Sequence, residues 1–465
     1  MARRVKSQKG NDLIVDSEEF CYRKDYLNKD GTSSWRCCKT ACRGRIKLDM
    51  NDNILSLSGV HHHPPDVVEN RCRVFNEIIR DRAKTTVEKP RTIIQTASCG
   101  ITDEVASAVP DYLASQRRIQ RTRRKAGVLF PTPQCVQDVV IPESLVRTAN
   151  NDNFVLWDSG AGDENRTFIF GTEDNLRLLQ EFKHWFVDGT FKISPGLYFQ
   201  VWTIHALVDG KALPLLYILL RDKSQQSYTR VLRRLVELEP NLCPDSIMAD
   251  FEKACLNALE DLFPRTTIKG CLFHLGQCLW RKVQELGFTN SYREDDNNRK
   301  CIKMLLALSF VPQNDVQNVF TEIVAYFPEN LTPLLDYWED NYIGRLRRLN
   351  RRSQPFFPIR LWNMYDRVIN NLPRTNNSVE GWHHAFQNTL DCHHPSIYKL
   401  LQYLHNEQQH NRILVQRYRD GHRRPESSKN KYIKLTRRLR TVVGQYGTIA
   451  NLDYLRAIAH NLSIN

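Results

Sequence analysis

The sequence predicts a multi-domain protein: a small β-rich unit carrying metal-ligand residues, a helical segment, and an α/β core interrupted by a helical insertion. Three observations carry this. The chain has 465 residues, more than one hydrophobic core organises. Cysteines and histidines gather among short β-like runs before residue 66. From residue 151 apolar strands come first and then alternate with amphipathic helices, the order of an α/β sheet.

Charge adds a partner class. The net charge of +14 points to a polyanion, and its distribution is uneven. Residues 1–150 are net +8, residues 151–342 net −8 and residues 343–465 net +14. An acidic middle between basic flanks suits metal chemistry held on DNA by its neighbours, although any single cluster is also read as a solvated face. The start, MARRVKSQKG, lacks the apolar run of a secretory signal. The most apolar stretch, Ile204 to Leu220, is interrupted by Asp209, Lys211 and Pro214, so no membrane span is expected. Thirteen scattered cysteines suggest reduced thiols and a few metal ligands rather than disulfides.

Residues 12–66 form the first unit. Glu19 to Tyr22, Ser34 to Cys38, Arg45 to Leu48 and Ile54 to Leu57 read as strands separated by turns such as Asn28-Lys29-Asp30-Gly31. Cys37, Cys42, His61 and His63 supply two thiolates and two imidazoles, a tetrahedral zinc set in a unit too small to fold without a staple. Three consecutive histidines favour His61 and His63 without fixing them, and Cys38 competes with Cys37. The segment resembles a FLYWCH-type zinc finger through Phe20, Tyr22, Trp35-Arg36-Cys37, Cys42-Arg43-Gly44-Arg45 and His61-His62-His63-Pro64-Pro65.

Residues 72–126 read as helical. Val74, Ile78 and Ile79 recur at helical spacing, Pro90 opens a second helix, Thr102-Asp103-Glu104 starts another, and Asp111 caps a last one. On that last helix Arg117, Arg121 and Arg124 share a face that suits a phosphate backbone, as in a helix-turn-helix arrangement. An exposed linker helix is the competing reading. Residues 127–150 read as linker.

Residues 151–278 begin the core. Trp185, Phe186 and Val187 make an apolar strand with Asp188 inside it, and an unpaired buried carboxylate costs several kcal/mol or more. A second strand, Ser246 to Ala249, ends in Asp250; Glu380 follows a polar turn at 374–378, on the helix expected in residues 373–392. Asp, Asp and Glu on two strands and a helix suit two magnesium or manganese ions for phosphodiester chemistry. The strand order predicts that the Asp188 and Asp250 strands lie side by side.

FVDGTF, MADFEKA, CLFHLGQ and NNSVEGWH, in that order, resemble the catalytic blocks of the Mutator-like element (MULE) transposases across roughly Phe182 to Leu390. The resemblance implies an RNase H-like fold, a DDE site of Asp188, Asp250 and Glu380, and cleavage of double-stranded DNA followed by strand transfer. It also implies a Cys-x-x-His block, Cys271 and His274. That block is read as packing ahead of a second zinc completed by His383, His384 or Cys392-His393-His394. The alternative function is a domesticated DNA-binding regulator without catalysis.

Residues 279–372 read as a helical insertion of long amphipathic helices with Trp338 and Tyr342 in its core, and 393–465 as a basic helical C-terminal region. Arg345, Arg347, Arg348, Arg351 and Arg352 lie near Tyr342 and Phe356, and Arg437, Arg438 and Arg440 near the end. Arginines beside aromatics suit DNA, with Arg347, Arg348 and Arg351 the chosen contacts. A nuclear location and a homo-oligomer are compatible expectations.

Overall fold

Strand alternation organises the first part of the chain. The computed structural model describes residues 2–7, 11–86, 88–126, 130, 133–348, 351–422 and 430–464, in two units, Met1–Thr132 and Pro133–Asn465. In the first, six strands run as an antiparallel meander in sequence order: β1 (Arg3–Lys6), β2 (Asp12–Val15), β3 (Cys21–Leu27), β4 (Ser33–Cys37), β5 (Arg45–Leu48) and β6 (Ile54–Ser58). One face buries Ile14, Tyr22, Trp35, Cys37, Ile46 and Leu48. The other face buries Val5, Leu13, Val15 and Cys21, packed against Val74.

Four helices follow: α1 (Val67–Thr85), α2 (Pro90–Ser98), α3 (Asp103–Ala106) and α4 (Tyr112–Lys125). Pro90 sits in the first turn of α2, and the Asp111 carboxylate accepts from the Ala114 N–H to cap α4. Phe75, Ile79, Ala83, Ile93, Ala97 and Ile119 make their common core. Two boundaries differ from expectation. Strand β1 precedes residue 12 because RRVK offers one apolar side chain and no visible alternation. Helix α1 starts at Val67 rather than 72, because Val67 and Val68 are exposed and add nothing to the apolar period.

The second unit contains a seven-stranded mixed sheet. Its strands are β7 (Val155–Asp158), β8 (Phe168–Phe170), β9 (His184–Thr190), β10 (Gln200–Val208), β11 (Lys211–Leu220), β12 (Ser246–Ala249) and β13 (Thr267–Gly270). Their order is β13-β12-β9-β10-β11-β8-β7. Strand β10 pairs antiparallel with β9 and β11, whereas β12 pairs parallel with β9 and β13. The parallel pairs need crossovers, supplied by α7 (Gln225–Leu238) and α8 (Lys253–Leu262).

Helices α5 (Glu143–Val146), α6 (Glu173–Glu181) and α9 (Leu272–Glu285) complete this half. The stretch read as linker is corrected from residue 133 onward. Val136, Val139 and Leu145 are buried, and the Arg166 guanidinium donates to the carbonyls of Val136, Gln137 and Val139. Of the remaining linker residues, 127–129 and 131–132 lie outside the described residues.

The insertion is made of short helices rather than long ones: α10 (Thr289–Glu294), α11 (Asp296–Ala307), α12 (Val316–Val324), α13 (Thr332–Trp338), α14 (Ile359–Trp362) and α15 (Tyr365–Ile369). Trp338 and Tyr342 are buried in their core, as expected. The C-terminal region is not separate from it. After α16 (Asn377–Leu390) and α17 (Ile397–Arg419), helices α18 (Asn430–Val443) and α19 (Asn451–His460) place Leu439, Val443, Leu455 and Ile458 in the insertion core. Helix α17 joins the sheet instead, with Asn411 donating to the Pro214 carbonyl. Among the described residues no helix is long and apolar enough to cross a membrane.

Candidate active site and metal centre

Two sites emerge, one in each unit. In the first, Cys37 ends β4 on the Trp35 face, Cys42 lies in the following turn, and His61 and His63 lie in the segment after β6. Cys37 Sγ lies 3.3 Å from His63 Nε2, Cys42 Sγ 3.2 Å from His61 Nδ1, and the two imidazole nitrogens 3.3 Å apart. Tetrahedral zinc with ordinary Zn–S and Zn–N bonds separates its ligand atoms by about 3.3–3.8 Å. These four form the one group of three or more such ligands drawn within 4.8 Å among the described residues. The arrangement fits zinc.

The surrounding hydrogen bonds choose the ligand atoms. Tyr22 donates its hydroxyl to Asp16 and lies 2.9 Å from His61 Nε2, so it accepts that N–H and leaves Nδ1 for metal. His63 Nδ1 donates to the Pro64 carbonyl, leaving Nε2. Phe20 stacks on His61 at 3.8 Å, and Gly44 is demanded because a Cβ there would lie 2.3 Å from His61. The open choices close: His62 is exposed, and Cys38 points to the opposite sheet face, 3.4 Å from Cys21. Phe20 and Tyr22 were visible in the sequence pattern. Asp16, one of three acids in the turn Asp16-Ser17-Glu18-Glu19, carried no signal of its own.

In the second unit Asp188 lies within β9 and is only 8% exposed. The parallel register pairs Met248 with Phe186. Two residues further along both strands, that register brings Asp250 beside Asp188. Glu380 comes from α16, whose approach is fixed by two bonds to the β13–α9 junction. The Leu272 N–H donates to the Arg374 carbonyl, and the Asn376 N–H donates to Cys271 Sγ. Trp382 then ties α16 to α17 by donating to Glu407.

The three carboxylates are electrostatic neighbours. Burial is the largest influence lifting Asp250 above the ordinary carboxylate range; Asp188 adds to it and His274 opposes it. Burial likewise lifts Glu380, with Asp188 and Asp250 adding and His274 opposing. His274 stands between them, Nδ1 2.7 Å from Asp250 Oδ1 and Nε2 3.6 Å from Glu380 Oε1. Burial opposes its proton, but Asp250 and Cys271 outweigh that and carry the imidazole up to about 11.

The 2.7 Å approach lacks hydrogen-bond alignment. Asp250 Oδ1, His274 Nδ1 and Glu380 Oε1 are all buried without a hydrogen-bond partner among the described residues. Orphaned buried oxygens beside a third carboxylate fit a divalent cation. The three do not gather within 4.8 Å, so the cradle is wider than one ion's shell.

Residues 184–277 match the family model of the MULE transposase domain. Over this stretch the chain is similar to MULE transposases. The matched segment runs from β9 to α9 and contains Asp188, Asp250, Cys271 and His274; Glu380 and the N-terminal unit lie outside it. No curated protein matches the chain.

Within this MULE-type stretch the Cys-x-x-His block divides its work. Cys271 is fully buried, takes the Asn376 N–H and packs with Phe186, Met248 and Val379. No group of three metal-type ligands forms around it among the described residues. His383, considered as a completing ligand, instead lies 3.2 Å from Asp188 Oδ2 and 3.3 Å from Thr203. Glu252, beside Asp250 but outside the acidic trio, accepts from the Tyr228 hydroxyl and pairs with Lys223 at 3.1 Å in a small cleft shared with Asp188 and Asp250.

The proposed DNA contacts fare unequally. Arg117, Arg121 and Arg124 are exposed on α4, while Arg123 between them is buried and donates to the carbonyls of Thr86 and Glu88. Arg347, Arg348 and Arg351 are exposed. Arg345 and Arg352 are not free cations: Arg345 pairs with Asp336 and Asp340, and Arg352 with Glu339.

Proposed function

We propose that this chain is a nuclear DNA-binding transposase that cuts and joins duplex DNA at a site built by Asp188, Asp250 and Glu380 in an RNase H-like core. The observation that carries this reading is the crowding of three acidic groups, two of them with orphaned buried oxygens, inside and beside a MULE-type segment. Magnesium or manganese bound there would supply charge for the attacking and leaving oxygens of an in-line displacement. Asp188 is held rigidly by its strand and by the Gly189 N–H, and Asp250 follows from the neighbouring strand. Glu380 closes the set from α16. His274 offsets part of the charge of Asp250 and Glu380 when no other cation does so.

The N-terminal unit is read as a FLYWCH-type finger that holds zinc through Cys37, Cys42, His61 and His63 and contributes to recognition of transposon ends. Arg117, Arg121, Arg124, Arg347, Arg348 and Arg351 are the proposed backbone contacts. A second reading, a domesticated DNA-binding regulator, is favoured by one observation: His274 occupies the space between Asp250 and Glu380. Incubating the chain with terminal-repeat duplexes and magnesium separates the two. Cleavage supports the transposase, and tight binding without cleavage supports the regulator.

A further inference from the structure

We infer that the outer face of strands β3, β4 and β5 is a docking surface for the phosphate backbone of duplex DNA. The inference rests on the DNA-binding reading above and assigns a surface to it. Arg23, Arg36 and Arg45 are directly cross-strand: Arg23 pairs with Arg36, and Arg36 with Arg45. Directly opposed side chains share a face, so three guanidinium stems stand in one row. Adjacent strands lie about 4.8 Å apart, so the row spans about 10 Å. All three are exposed.

Such a row costs stability, because like charges directly opposite one another repel. The fold relieves it with one carboxylate. Asp25, at the irregularity between Lys24 and Tyr26, pairs with both Arg36 and Arg45. No carboxylate pairs with Arg23 among the described residues. The next positions on the same face continue the pattern: Lys47 stands opposite Ser34, which stands opposite Tyr26, and Tyr26 is 56% exposed.

The rest of this face shows what the row is not. Val5 and Leu13 continue it toward β1 but are buried in the cluster with Val74. The arginines begin where that apolar cover stops. The opposite face holds the core and the metal ligand Cys37, so the sheet presents a zinc-stapled side and a cationic side. A rigid strand platform fixes cation spacing better than flexible arginines on a loop. A polyanion with regular charge spacing is its complementary partner, and duplex DNA carries one charge per ~3.4 Å along each strand.

The test is a salt series of full-chain binding to a duplex of about 30 base pairs, comparing the parent with Arg23→Gln/Arg36→Gln/Arg45→Gln and with Asp25→Asn. Every phosphate that the variant no longer neutralises should lower the slope of log K against log salt by about 0.9, so the triple variant should drop by roughly two to three units. Asp25→Asn frees two arginines and should tighten binding severalfold at low salt, a gain that misfolding cannot produce. Circular dichroism should be unchanged in both. A parental slope in the triple variant, with Asp25→Asn no tighter, overturns the inference alone. Tighter binding of single-stranded RNA than of the duplex by the parent, abolished in the triple variant, overturns the assignment to DNA. A parent that binds no duplex at any salt overturns both this inference and the DNA-binding reading.

Discussion

His274 Nδ1 lies 2.7 Å from Asp250 Oδ1 while its other nitrogen faces Glu380, so one imidazole bridges two carboxylates that arrive on a strand end and a helix. In the absence of another cation this residue carries the compensating charge. Removing one partner of a buried ion pair costs about 3–5 kcal/mol. His274→Ala should therefore lower apo stability by about 3 kcal/mol, toward the low end because the imidazole is 22% exposed. Manganese should recover more of the melting temperature in the variant than in the parent. Equal recovery would show that metal and imidazole do not share the carboxylates.

In the N-terminal unit the sharpest test is Tyr22→Phe. Only a hydroxyl is removed, but His61 then lacks the acceptor that fixes its tautomer. Zinc affinity, measured by chelator competition, should fall about 10–100-fold with the sheet intact. Unchanged affinity would mean that Tyr22 packs without orienting the ligand.

Much of this was legible in the sequence. The strands Arg45–Leu48 and Ser246–Ala249 were read to the residue, because turns or acidic residues bound these short runs. Neighbouring Asp188 and Asp250 strands followed from strand order. What escaped depends on tertiary pairing: the bridge at His274, the Asp16–Tyr22–His61 chain, and the second unit's use of 133–150. Local pattern was also blind to charge pairing: within the arginine-dense segment nothing marked Arg345 and Arg352 as the two that acids at 336–340 hold.

That pairing separates two groups of arginines. Arg347→Ala/Arg348→Ala/Arg351→Ala should flatten the salt dependence of DNA binding by up to roughly three units, as should Arg117→Ala/Arg121→Ala/Arg124→Ala. Arg352→Ala should leave the slope unchanged and lower the melting temperature, since its side chain is largely buried against Glu339. A slope change in Arg352→Ala would overturn the distinction.

Glu252 lies outside the acidic trio, where a mild effect of substitution is the simple expectation. Its contacts argue otherwise: Tyr228 donates to it, and Lys223 pairs with it. Glu252→Gln should cost about 1 kcal/mol in chemical denaturation, the net contribution of a typical hydrogen bond. A cost below a few tenths would show that solvent replaces both partners.

Lys269 gives the pH dependence a sign. Its ammonium donates to the carbonyls of Arg360 and Asn363, and burial lowers its pKa to about 8. Above pH 8 the unfolded chain keeps the proton longer than the folded one, so stability rises with pH toward the unfolded value. Relative to Lys269→Met, the parent should gain about 2 kcal/mol between pH ~8 and ~10. A flat difference would place the ammonium in water.

The most direct measurement is nicking of supercoiled plasmid in magnesium or manganese by the parent, Asp188→Asn and Glu380→Gln. Asn and Gln keep the shape of the side chains they replace and remove the charge that binds metal. The account predicts metal-dependent nicking by the parent and none by either variant, with DNA affinity and melting temperature nearly unchanged. Nicking by Asp188→Asn at the parental rate would contradict it.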